Sequence, residues 1–384
     1  MSERVARPVV VAAISDILSG VDSWTWRLER AFREHPRFDF RVLVCNRRSR
    51  HEGVPVVGSA GAAARYLRET QPAILLPNYA WPVLRAACRA GAARPAVVAY
   101  CHSDSLEEYY NPLLWYAPVV EEFVAVSRLC QTQLARRLPE RSAAVHLLPY
   151  GVSVPLSGSA RIRTEGPLRL VYVGRLVQEQ KRVLDFVPFV STLRKLGVAF
   201  RLTLVGDGPE RAELERRMEP FHDLVTVQGA VCSEAVARVL SAHDVFVQLS
   251  EFEGTSNSLL ESMAVGTVPV VTETRSGIED VLGTGEAGFT VPVGDPCAAA
   301  GVVARLAEDP DLWQRASRAS HVVAGRFSIE SNVDALVKVF DAALSRPRAR
   351  WPAGRALRPE LAVREGVFVP RRFRWLRERF LRRD

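Results

Sequence analysis

The segment Glu253-Gly254-Thr255-Ser256-Asn257-Ser258-Leu259-Leu260-Glu261, continuing as Ser262-Met263-Ala264-Val265-Gly266, decides how the chain is read. Two carboxylates eight positions apart bracket a small polar turn that runs into a short apolar helix. Upstream, Asp244-Val245-Phe246-Val247-Gln248-Leu249 has the continuous apolar character of a buried strand, and Val268-Pro269-Val270-Val271 repeats it downstream. Strand, small-residue loop, helix and strand is the order that receives anionic ligands. The N–H groups and the positive end of the helix dipole point the same way. A carboxylate at each end can accept hydrogen bonds from hydroxyls, so the loop suits a phosphate flanked by two polyols. A plainer reading stays open here: Ser258-x-x-Glu261 fits a capping box, and Glu253 fits an exposed loop acid.

A second element points to the same chemistry. Val173-Gly174-Arg175-Leu176, followed by Lys181, runs a strand out through glycine into two cations. Open α/β sheets bind ligands beyond the carboxyl ends of their strands. Arginine offers a fork to phosphate oxygens, and lysine a compact point charge. The chain has only three lysines, at 181, 195 and 338, against 48 arginines, so a lysine in this loop carries some information. Ordinary surface cations are the alternative.

Gly174-Arg175, Lys181, Val205-Gly206-Asp207-Gly208-Pro209, Gly229, Glu253 to Glu261 with its Glu-Ser-Met-Ala-x-Gly end, and Ser276-Gly277-Ile278 together cover nearly all of the second half. In this pattern the chain resembles glycosyltransferase family 4, whose members have the GT-B fold and retain anomeric configuration. The resemblance implies two Rossmann-like, doubly wound α/β domains facing a central cleft, with a C-terminal segment crossing back. It implies that Glu253 faces the hydroxyls of a donor sugar and Glu261 a ribose, while Arg175 and Lys181 hold a diphosphate. Gly174 and Gly254 belong to the same two loops, and the backbone of Ser256, Asn257 and Ser258 lines sugar and phosphate. Asp207, Gly208 and Val231 lie where the family binds the base. The early Gly-Gly of the family stands here as Ser19-Gly20, a serine replacing the glycine that would bring the backbone against the ligand, and Gly20 is kept as a donor-site candidate. His102, in Tyr100-Cys101-His102-Ser103-Asp104, stands where the family often places a histidine near the reacting centre, and Asn78, Trp81 and Asp104 are candidate acceptor contacts. The donor implied is a UDP-sugar ahead of a GDP-sugar, the acceptor a glycan, lipid-linked sugar or small molecule. No metal is expected, since no Asp-x-Asp stands on a strand end.

Along the chain, strands at Val9–Ala13, Phe40–Val44, Ile74–Leu76, Ala96–Tyr100 and Phe123–Val126 alternate with helical stretches at Ser23–Glu34 and from Ser127 to about Leu138. We read residues 1–154 as the acceptor-side domain and the turn-rich 155–167 as a linker. Residues 168–345 read as the nucleotide-sugar domain, closing in a helix near Asn332–Leu344, and 346–384 as a basic segment. In the second domain, strands are expected at Leu168–Val173, Phe200–Val205 and Val225–Val227, with a capped helix at Ser233–Leu240.

Composition narrows the alternatives. At 48% hydrophobic and 24% charged, the 384 residues are those of an ordinary globular protein with room for two cores. No apolar run reaches the ~18 residues of a membrane span, and the N-terminus does not read as a secretory signal. Six cysteines without a C-x-x-C pair fit reduced thiols in a cytoplasmic protein. Residues 345–384 hold thirteen arginines against four acids, a net +9 in a chain of +8, so the rest is near neutral. Within that tail, Pro370 precedes Phe373, Leu376 and Phe380 at helical spacing, flanked by arginines. Such a helix suits peripheral contact with an anionic membrane at its inner face. The main alternative function is therefore a polyanion- or membrane-surface-binding protein with a non-catalytic GT-B body. A nicotinamide oxidoreductase is disfavoured because no G-x-G-x-x-G follows a strand in the first half, and the tail has no nucleic-acid-binding module.

Overall fold

The apolar runs become strands covered on both faces, and the linking segments wind between them. The structure, a computed structural model, describes residues 7–16, 19–49, 51–89, 94–155, 161–163, 165–274, 276–283 and 286–348. Two units form: Tyr150–Ser328 is one, and residues up to Pro149 together with those from Ile329 are the other. The surface-helix expectation for 370–383 lies outside the described residues. Among the described residues, no helix is long and apolar enough to cross a membrane.

The first unit begins with β1 (Val9–Ile14), α1 (Gly20–Phe32) and β2 (Asp39–Val44), followed by α2 (Ala60–Thr70), β3 (Ile74–Leu76), α3 (Pro82–Arg89) and β4 (Ala96–Cys101). A π-turn at Leu106–Tyr110 leads into α4 (Asn111–Tyr116), then β5 (Glu122–Ala125), α5 (Arg128–Arg137) and β6 (Val145–Leu147). The six strands are parallel in the order β2-β1-β3-β4-β5-β6. Every residue of β4 is buried, which is why the sequence shows an unbroken apolar run there and not alternation.

The second unit holds β7 (Leu168–Val173), α6 (Gln178–Lys181), α7 (Phe186–Lys195), β8 (Phe200–Val205), α8 (Arg211–Met218), β9 (Val225–Gln228) and α9 (Ser233–Ser241). It continues through β10 (Val245–Gln248), α10 (Asn257–Ala264), β11 (Val268–Thr272), α11 (Ile278–Leu282), β12 (Phe289–Val291), α12 (Pro296–Glu308) and α13 (Pro310–Ala324). Its parallel sheet runs β12-β11-β10-β7-β8-β9. Helix α9 starts at Ser233 as read, but the cap position is Cys232 and no side chain caps it. The segment read as a linker is tied down in its described part. Arg161 donates to the carbonyls of Ser241 and His243, and Arg163 to those of Leu306 and Ala307. Both arginines therefore cover carbonyls at or just past helix C-termini, where cations are favoured.

Two boundaries differ from the sequence reading, and the first stretch of the first unit ends at Pro149, not at 154. The last helix, α14 (Ile329–Ser345), belongs with the first unit and not with the second, so the return of the chain begins at Ile329, not after 345. Phe340 is fully buried between Phe32 and Phe38, and Arg37 forks onto Asp341 at 2.6 and 3.1 Å. The apolar stripe of α14 is satisfied by α1 and the first sheet.

At the amino ends of the second sheet, Asp244 is 1% exposed and accepts from the Arg169 backbone N–H and guanidinium at 2.7 to 3.0 Å. Its carbonyl accepts from Val268 N–H and from Trp313 Nε1. Replacing Asp244 by alanine removes all three carboxylate bonds and is expected to cost about 3 kcal/mol. Thermal unfolding checks this, and a midpoint within a degree of wild type would contradict it.

Candidate functional site

A parallel sheet built by crossovers leaves one gap where the chain reverses its direction of winding, and ligands lodge there. In the second unit that gap lies between β7 and β10, which pair through Val245 with Leu170 and Phe246 with Val171. The loops leaving these two strands are Gly174–Val177 and Leu249–Ser256, the two segments singled out in the sequence. In the first unit the corresponding gap lies between β1 and β3.

Glycines let the loops of the second unit press on one another. Gly206 has φ +153°, and a Cβ there would sit 1.8 Å from the carbonyl oxygen of Gly174. Gly277, at φ +77°, bears on the Gly254 carbonyl in the same way. The donors Gly174 N–H to Val205 O at 3.0 Å and Leu176 N–H to Asp207 O at 2.9 Å close the floor. Gly208 is buried, and its amide donates to Asp207 Oδ1 at 2.8 Å. Val231 stands partly exposed on the β9–α9 loop.

The charged residues converge across the gap. Lys181 Nζ lies 2.5 Å from Glu253 Oε1, and Ser250 Oγ donates to the same oxygen at 2.6 Å. Arg175, half-buried, donates to Gln180 Oε1 at 2.5 Å. Gln180 in turn ties the loops together: its carbonyl accepts from Glu251 N–H at 2.8 Å and its amide reaches Phe252 O. Helix α10 opens at Asn257 and Ser258, so its positive end lies at this loop. No acidic residue stands in that turn. Its cap is Ser256, in extended conformation, accepting from Leu259 N–H at 3.3 Å. The capping box read from Ser258 and Glu261 is thereby corrected. The helix starts two residues earlier, which puts Glu261 beyond the position from which a box closes. Glu261 is partly exposed on α10. Ser250 and Gln180 were missed, and no motif marks either of them.

The first unit treats its nominated residues differently. His102 is 4% exposed and packed among Tyr100, Trp24 and Tyr109, with ring centroids 5.2 to 5.8 Å away. Burial pushes its pKa down to about 3, so the imidazole is neutral at physiological pH. The orientation of Asn78 follows from its Nδ2, which donates to Ala13 O at 3.2 Å, leaving Oδ1 to accept from His102 Nε2–H at 3.3 Å. A histidine so held is a neutral hydrogen-bonding group and not a proton donor. Asn78 and Trp81 are buried, whereas Asp104 is exposed and accepts from Tyr110 at 2.8 Å. Gly20 is the first residue of α1, but the first turn of that helix carries Asp22, 3% exposed and bonded by the Tyr79 hydroxyl. The positive end of α1 therefore has its own counter-charge.

Comparison with known proteins bears on the second unit above all. Residues 167–309 match the family described as Glycosyl transferases group 1. Alpha-D-kanosaminyltransferase of Streptomyces kanamyceticus is 28% identical over 174 residues, 44% of this chain and 45% of its own length. The chain thus spans less than half of that relative. The lipopolysaccharide core biosynthesis glycosyltransferase LpsD of Rhizobium meliloti is 26% identical over 286 residues, 73% of this chain and 79% of its own. Among solved structures, HepE of Anabaena in complex with UDP and glucose superposes with a TM-score of 0.70 at 15% identity, over 88% of this chain and all of that one. The fold shared with it is GT-B.

The buried imidazole sets a measurable acid response. His102 titrates near 6.5 when unfolded and near 3 when folded, so the unfolded chain takes up a proton that the folded one refuses. Its contribution is complete above pH 6.5 and is lost as the pH falls toward 3, by about 1.4 kcal/mol per unit. Thermal unfolding of His102→Gln is expected to lose about 2 kcal/mol less than wild type between pH 7 and 5. Parallel pH curves for the two proteins would contradict the assignment.

Proposed function

We propose that this chain, whose residues 167–309 belong to the glycosyl transferases group 1, moves a hexosyl or N-acetylhexosaminyl group from a nucleoside-diphosphate donor to an acceptor hydroxyl with retention. The carrying observation is the meeting, at one sheet gap, of Arg175, Lys181 and a helix N-terminus free of acidic first-turn residues with the carboxylate of Glu253. Cations and helix amides suit a diphosphate, and the carboxylate suits sugar hydroxyls. The UDP and glucose bound to HepE support a UDP-sugar as donor. The relatives' names support a saccharide-bearing acceptor: a glycan, a lipid-linked sugar or a small molecule.

As the bond from the anomeric carbon to the diphosphate breaks, its electron pair goes to the phosphate oxygen and the sugar becomes oxocarbenium-like. Arg175, Lys181 and the amides of Asn257 and Ser258 stabilise the charge that grows on the leaving group. The acceptor hydroxyl attacks the same face and gives its proton to the departing diphosphate. Glu261, on the helix behind the phosphates, suits the ribose, and the Asp207–Gly208 turn and Val231 the base.

A screen of nucleotide sugars for released nucleoside diphosphate identifies the donor. With that donor, Arg175→Ala and Lys181→Ala are each expected to lower turnover by about 30- to 1000-fold, equivalent to about 2–4 kcal/mol of barrier, without loss of fold by circular dichroism. Near-wild-type turnover in both would remove the phosphate assignment.

A further inference from the structure

Lys181 and Glu253, assigned above to different parts of the donor, are bonded to each other. Their side chains are 14% and 6% exposed, so the pair is largely out of water. A lysine held by a carboxylate contributes little net charge to a diphosphate. The engaged oxygen of Glu253, Oε1, already accepts from both Lys181 and Ser250, so a sugar hydroxyl that takes the place of the ammonium there must displace it.

The two side chains differ in what they can do about this. The Lys181 main chain is fixed by its N–H to Val177 O at 3.0 Å, and Arg182 follows in the left-handed region at φ 47°. Above that anchor, four rotatable carbons carry a compact ammonium that can change partners without backbone movement. Glu253 is held from its own loop by Ser250, whose carbonyl accepts from Thr272 Oγ1 at 2.6 Å. Ser250 is fully buried, and neither of its bonds depends on Lys181. The neighbouring pairs of Arg182 with Asp185 and Glu251 leave Glu253 alone.

Resting on the glycosyl-transfer reading, we propose that Lys181 and Glu253 are exchange partners: the donor diphosphate draws Lys181 off Glu253, and the carboxylate so released takes a hydroxyl of the donor sugar, with Ser250 as the positioning residue that holds it through the change. A diphosphate carries more negative charge than one carboxylate, so the ammonium gains by the move. A buried carboxylate stripped of its cation is costly unless another donor arrives. A free nucleoside diphosphate strands Glu253, whereas the nucleotide sugar brings the replacing hydroxyl with it. Recognition of the sugar is thereby coupled to recognition of the phosphates.

Calorimetry tests this with whichever of UDP, GDP, ADP or dTDP the wild-type chain binds. Glu253→Gln should bind that diphosphate about tenfold more tightly while transfer from the nucleotide sugar falls, since the stranded charge is gone. In the Lys181→Met background the same Glu253→Gln change should alter Kd by less than about twofold. Ser250→Ala should leave the diphosphate Kd unchanged and lower kcat/KM for the nucleotide sugar by about tenfold. An unchanged or weaker Kd in Glu253→Gln overturns the exchange. So does a gain that persists without the lysine, because that is simple repulsion between carboxylate and phosphate. Should Lys181→Met not fold, Lys181→Gln supplies the lysine-free background for the same comparison. A wild-type chain that binds none of the four diphosphates overturns the glycosyl-transfer reading itself.

Discussion

The second unit depends on Asp244. Its carboxylate holds the first residues of β7 through Arg169, and its carbonyl takes the amide of Val268 at the head of β11 and the indole of Trp313 from α13. Three strands are pinned at one end by one residue. Their opposite ends then diverge in a fixed way, because a parallel ladder transmits register from one residue to the next. The loops after β7 and β10 meet as they do since their strands have no freedom to slip. Structural charge sits at the amino end of the sheet and chemical charge at the carboxyl end, about the length of a strand apart.

What fills the carboxyl end is decided by volume before charge. Gly206 and Gly277 each place backbone against a carbonyl oxygen where no side chain fits. Gly174 has a related constraint, since an added Cβ would stand 2.6 Å from the Tyr172 hydroxyl, which itself donates to Arg175 O at 2.7 Å. The cations and carboxylates are therefore mounted on loops already stacked on one another. That stacking keeps long side chains within reach of their partners across 72 residues of sequence.

Much of this was legible in the sequence. Unbroken apolar runs gave the strands, and the glycines and charges around Arg175 and Glu253 marked the two loops at the sheet gap. Other features rested on signals that were present but weaker. Helices α12 and α13 are announced by Asp295-Pro296 and Asp309-Pro310, a cap followed by proline at the first helical position. The apolar stripe of α14 was visible, yet a stripe does not say which sheet it covers; only Phe340 meeting Phe32 and Phe38 does. The burial of His102 arises from three aromatic residues on separate elements, and the Lys181–Glu253 bond from two loops. Such encounters are tertiary, and no local pattern encodes them.

Asp22 gives α1 a character opposite to that of α10. Both helices follow a strand at the gap of an open sheet, and both present a positive end there. In α1 that end is plugged by the chain's own carboxylate, clamped by the Tyr79 hydroxyl, which also accepts from Ser15 N–H at 3.1 Å. Duplicated architecture thus does not duplicate electrostatics: a single buried acid offsets the positive end of α1, whereas the first turn of α10 carries none.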